Sequence, residues 1–141
     1  MPTRKASAKW EGGLKGGKGS FSGESGLGGA YSFGSRFESG GGTNPEELLA
    51  AADAACYSMA LSAALEKNGT APRSVETKAA CTLEKVGDGF SITTMKLDVT
   101  ASVPGVDDAT FQKLAEQTKE GCIVSRVMKG NLKFELTARL A

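Results

Sequence analysis

Apolar residues recur along this chain with two different periods, and the change from one to the other marks out its elements. Val75, Thr77, Ala79, Cys81 and Leu83 alternate with Glu76, Lys78, Ala80, Thr82 and Glu84. A period of two predicts a half-buried strand there. Gly87-Asp88-Gly89 turns the chain into a second run, Phe90 to Val103, in which Met95, Leu97, Val99, Ala101 and Val103 share a face. Phe90 and Ile92 fall in the opposite phase, which predicts a bulge near Thr93-Thr94. Pro104-Gly105 ends that strand. Asp107 then caps a predicted helix over 108–120 closed by Gly121, and a shorter helical segment runs from about Cys122 to Met128. Lys129-Gly130-Asn131 leads into a last strand with Leu132, Phe134, Leu136, Ala138 and Leu140 inward.

Ahead of these strands lies the best-specified helix. Asn44 is a good N-cap, Pro45 fits the first helical position, and Glu47 completes a capping arrangement. The segment then continues to Lys67, where Asn68-Gly69 stops it. Between Leu48 and Leu65 only Asp53, Ser58 and Ser62 are polar. A helix so apolar around its circumference is expected to be buried on several sides. One short chain has little material to surround it, which suggests cover from a second subunit. The first forty residues are glycine-rich, with strand-like pieces at 6–11, 19–22 and 31–38 separated by glycine pairs. The pattern as a whole predicts one α+β domain over 1–141, with strands before and after a central helix.

Composition narrows the chemistry. Lysine plus arginine (17) nearly balances aspartate plus glutamate (16), so no basic excess points to nucleic acid. The N-terminus has no apolar block, and no uninterrupted apolar run of about 18 residues stands out. A cytoplasmic protein without a membrane span is the expectation. Histidine is absent, which removes Ser-His-Asp and Cys-His catalysis and every His-containing zinc site. Three cysteines without CxxC spacing make a Cys-only zinc site implausible, and no cofactor is expected.

Cys56 sits mid-helix, where, taken alone, a small apolar filler is a better reading than a reactive thiol. Cys122 follows Gly121 and opens a helical segment, a setting that stabilises a thiolate. Cys81 lies on the inward face of a strand and reads as core. Arg36 in YSFGSRFE and Glu46 in the first turn of the long helix need no special role when read singly.

Resemblance changes that weighting. The segments AKWEGGLKGGKGSFS, SRFESGGGTNPEELLAAADAACYSMALS, VPGVDDATFQ and GCIVSRV resemble the OsmC family of osmotically inducible peroxidases, sister to the organic hydroperoxide resistance (Ohr) proteins. The likeness is nearest the OsmC branch, because the arginine precedes the TNPEE block in an RFE context. It implies an intertwined homodimer, with long central helices wrapped by antiparallel-rich sheets. It further implies Cys56 as peroxidatic cysteine, Cys122 as resolving cysteine, and Arg36 and Glu46 as their partners. Two departures stand out: Ile123 follows the second cysteine where many members have proline, and Cys81 is additional. Glu46 and Cys56 are ten positions apart on one helix, a rise of roughly 15 Å. For both to serve one site, one must come from a partner chain.

The implied reaction reduces an organic hydroperoxide at Cys56, forms a Cys56–Cys122 disulfide, and relies on an external dithiol, of lipoyl type by resemblance, for recycling. Phe37, Tyr57 and Met59 are candidates to line an apolar substrate pocket. The rival readings are a non-enzymatic stress or binding protein, in which both cysteines are filler, and a different thiol enzyme, such as a hydrolase using Cys56.

Overall fold

Ten elements follow in chain order in the computed structural model, which describes all 141 residues. They divide between two units, Met1–Leu48 and Leu49–Ala141.

In the N-terminal unit, strands β1 (Ala6–Glu11), β2 (Lys18–Gly23) and β3 (Gly28–Tyr31) form an antiparallel sheet in that order. Trp10 and Tyr31 pack with ring centroids 5.5 Å apart. Gly19 lies so close beneath them that a Cβ would stand 2.5 Å from Tyr31 and 2.8 Å from Trp10. Any larger residue there would force the rings apart. The expected strand over 31–38 is not formed. Residues Phe33–Phe37 instead make a short helix, α1. Ser32 and Ser35 each receive the other's backbone N–H, at 3.1 and 2.9 Å, and this reciprocal cap turns the chain helical.

Helix α2 (Pro45–Lys67) starts as the sequence predicts, with Asn44 Oδ1 accepting from the backbone N–H of Glu47 at 2.8 Å. The Glu47 carboxylate accepts from Thr43 Oγ1 at 2.6 Å. By length and mean hydropathy, 1.5 over its most apolar window, α2 is long enough to cross a membrane, a test that the core helix of a soluble protein also passes. Its fully buried positions are Asp53, Tyr57, Leu61 and Leu65, four residues apart and therefore on one face. Within one chain, α2 is therefore buried along a single face. Ala51, Ala52, Ala55, Met59 and Ala63 remain exposed, Met59 at 73%.

The C-terminal unit is built on strands β4 (Ser74–Val86), β5 (Gly89–Ser102) and β6 (Lys133–Leu140). β4 and β5 are an antiparallel hairpin whose register shifts at Thr82/Leu83, leaving Thr93 as the extra residue of the expected bulge. β6 pairs parallel to β5, so the chain must cross over between them. It does so through α3 (Asp108–Gly121) and α4 (Ile123–Met128). Met95, Leu97, Val99 and Ala101 of β5 are buried with Tyr57, Leu61 and Leu65 of α2 and Phe111 and Ala115 of α3. Cys81 packs against this core from β4.

Candidate active site

Cys56 lies on α2 one residue before the buried Tyr57 and is itself half-buried. Tyr57 is locked by its hydroxyl, which donates to the Ala115 carbonyl at 2.7 Å. Tyr57 is fully buried within the chain, whereas Met59, two residues on, is exposed. Cys122 is 1% exposed and occupies the joint between α3 and α4, ending one helix and capping the next. The crossover thereby brings together two residues 66 positions apart. Cys122 Sγ donates to Cys56 Sγ across 3.1 Å, and both thiols are free. The gap is well beyond the roughly 2.05 Å of a disulfide bond, yet short enough that bond formation asks for little movement.

The helix start at Cys122 does not make it a ready thiolate. Burial pushes the thiol up, and its own hydrogen bond to the Cys56 sulfur adds to this; hydrogen bonds from Ser125 and from the Val124 backbone only partly oppose it. Desolvation outweighs the short helix.

Asp53 is the residue that sequence reasoning passed over. It is fully buried one turn before Cys56. Its Oδ1 accepts from Ser125 Oγ at 2.7 Å and faces Cys122 Sγ at 3.9 Å, while its Oδ2 is buried without a partner. Burial raises the carboxyl above its ordinary value, against the pull of Ser125 and Cys122. A lone carboxylate three residues before a cysteine, inside an alanine- and leucine-rich helix, was the available signal.

Arg36 and Glu46 meet in the N-terminal unit. The short helix α1 carries Arg36 in its last turn, and Glu46 is the second residue of α2. Arg36 Nε and Nη2 donate to the same oxygen, Glu46 Oε1, at 3.1 and 2.9 Å. Oε2 is buried without a partner. The guanidinium side chain is 38% exposed and the carboxylate 8%, and the Phe37 ring centroid lies 5.2 Å from the guanidinium carbon. Arg36 and Glu46 form an ion pair that converges on one carboxylate oxygen instead of using both. No group of three or more cysteine and carboxylate side chains is arranged to hold a metal ion.

The family model for OsmC-like proteins matches residues 38–137. The chain is 46% identical over 134 residues to peroxiredoxin OsmC of Escherichia coli strain K12, covering 94% of each. It is 33% identical over 99 residues to the organic hydroperoxide resistance protein of Xanthomonas axonopodis pv. citri, covering 70% of this chain and 68% of that one. Among solved structures it is similar to the organic hydroperoxide resistance protein OhrB of Bacillus subtilis, with TM-score 0.74, 26% identity, and coverage of 96% and 98%.

Proposed function

This chain belongs to the OsmC-like family and is a cysteine-based peroxidase; from that premise we propose that it reduces organic hydroperoxides to alcohols through a sulfenic acid on Cys56 and a Cys56–Cys122 disulfide. The observation that carries the reading is the 3.1 Å approach of the two free thiols. In the first step the Cys56 thiolate attacks the distal peroxide oxygen. The O–O bond breaks, the alkoxide leaves and takes a proton, and Cys56 becomes a sulfenic acid. Cys122 then displaces hydroxide from that sulfur and closes the disulfide. An external dithiol, lipoyl-bearing by family resemblance, reopens it by exchange. Exchange starts at Cys56, the less buried sulfur.

Arg36 serves as the fixed cation of the site, donating to the peroxide oxygens as charge develops on the leaving alkoxide. Glu46 aims the guanidinium. A carboxylate at the start of α2 and a cysteine ten residues along it are roughly 15 Å apart, so the Arg36–Glu46 pair that serves a given Cys56 belongs to a second copy of the chain. The exposed stripe of Ala51, Ala55, Met59 and Ala63 on α2 supports a homodimer in which these helices meet and Leu49–Ala141 and Met1–Leu48 act as one domain. On this reading the protein is soluble and cytoplasmic, and α2 is a core helix.

The test is mass spectrometry after one equivalent of cumene hydroperoxide, followed by turnover with lipoamide. A linked Cys56–Cys122 peptide and dithiol-dependent turnover are expected. Their absence would return both cysteines to the role of packing residues.

A further inference from the structure

We propose that Asp53 is the proton acceptor for the Cys122 thiol when the disulfide closes, with Ser125 holding its carboxylate in place. The inference rests on the peroxidase reading and adds a residue to its second half.

The need for such a group follows from the geometry of the resting pair. The Cys122 thiol has two acceptors in range, Cys56 Sγ at 3.1 Å along the sulfur–sulfur line and Asp53 Oδ1. To attack a sulfenic acid on Cys56, Cys122 must present a lone pair along that same line, so the proton has to leave it. The other polar acceptor in reach is Asp53 Oδ1, 3.9 Å from Cys122 Sγ. Ser125, one turn into α4, donates to that oxygen at 2.7 Å and fixes the carboxylate between the two elements. The second oxygen, Oδ2, is buried with no partner, which leaves it an open acceptor.

Electrostatics favour a single proton shared by this pair. Asp53 makes no ion pair, and a carboxylate so enclosed is expensive to keep for packing alone. The titratable groups around it are Cys122 at the α3–α4 joint, Cys56 and Tyr57 on its own helix, and Glu116 on α3, which acts on Tyr57. None is a cation. Carboxylate and thiolate together would place two negative charges side by side, so one proton serves both. Burial raises both groups, and moving the proton from sulfur to oxygen leaves the net charge of the cluster unchanged. The step balances: the Cys122 S–H proton passes to Asp53, the S–S bond forms, and the S–O bond of the sulfenic acid breaks. Hydroxide leaves with the proton from Asp53 as water. Cys122 sulfur is oxidised, Cys56 sulfur is reduced, and Asp53 ends as the carboxylate it began.

The experiment is a quenched single turnover with cumene hydroperoxide, in which a sulfenic-acid trap reports Cys56 oxidation and peptide mass reports disulfide closure. Asp53→Asn keeps the shape and an acceptor for Ser125 but takes no proton. Cys56 oxidation should proceed within about twofold of the unaltered protein, while closure slows by about 10²-fold near neutral pH. That deficit should shrink in alkali, where thiol ionisation needs no base; Ser125→Ala should show a milder form of it. Equal closure rates with an unchanged pH profile would overturn the role of Asp53. The unaltered protein provides a check independent of any variant. Its closure rate should be level with pH across neutrality, whereas a tenfold rise per pH unit would mean free ionisation supplies the thiolate and would refute the inference. A failure of the unaltered protein to oxidise Cys56 sinks the peroxidase reading itself, a result distinct from either of these.

Discussion

Glu46 in the N-terminal unit and Asp53 in the C-terminal unit are both buried carboxylates with one oxygen left unpartnered. Glu46 receives two hydrogen bonds from a guanidinium, whereas Asp53 receives one from a hydroxyl and faces a more distant thiol. The partner decides what each can do. A guanidinium is charged at every accessible pH, so the first pair offers a fixed field. Asp53 is pushed up by burial and has no cation of its own chain beside it. On the proposed reading, one unit supplies constant charge and the other supplies sulfur and a mobile proton.

The sharpest way to break this division is at the sulfur itself. Cys56→Ser should reduce peroxide turnover to background in a coupled dithiol assay; retained turnover would remove sulfur chemistry from the C-terminal unit altogether. Arg36→Ala should lower kcat/KM for cumene hydroperoxide by about 10²-fold, with the two thiols still able to close a disulfide under a small-molecule oxidant. Arg36→Lys should recover little, because an ammonium cannot reproduce the two-nitrogen grip on Glu46. A wild-type rate in Arg36→Ala would separate the two units functionally.

A thermodynamic prediction follows from Asp53. Its folded carboxyl titrates above the ordinary 3.8, so the folded chain holds that proton more tightly than the unfolded chain does. The contribution is fully present below pH 3.8 and is lost as pH rises through the folded value. Asp53→Asn abolishes that slope. Urea midpoints should therefore shift toward the variant as pH climbs from about 4, and parallel curves would show that the carboxyl titrates normally. The smallest effect belongs to Tyr57→Phe, which leaves the packing in place but removes the bond to the Ala115 carbonyl. A loss of about 1 kcal/mol in urea unfolding is expected, with turnover unaffected.

Period and punctuation made most of the C-terminal unit legible. The alternation on β4, the bulge at Thr93, the Asp107 cap and the Asn44 start of α2 were all written in residue types at fixed offsets. Three features were not. The stretch 33–37 has aromatic, strand-like residues, and only the mutual capping of Ser32 and Ser35 makes it helical. Cys122 reads as an activated thiol from its helix start, because sequence shows the dipole but not the depth of burial that overrides it. Asp53 reads as a stray polar residue until Ser125, 72 positions away, is brought to its side. Local signals name the elements; long-range approach assigns the chemistry.

The parallel pairing of β6 with β5 has a consequence for how the protein folds. A parallel neighbour needs a long crossover, and here that crossover carries Cys122. Cys56 and Cys122 lie 66 positions apart, so the two sulfurs meet only once a wide loop has closed, a step expected later in folding than the local β4–β5 hairpin.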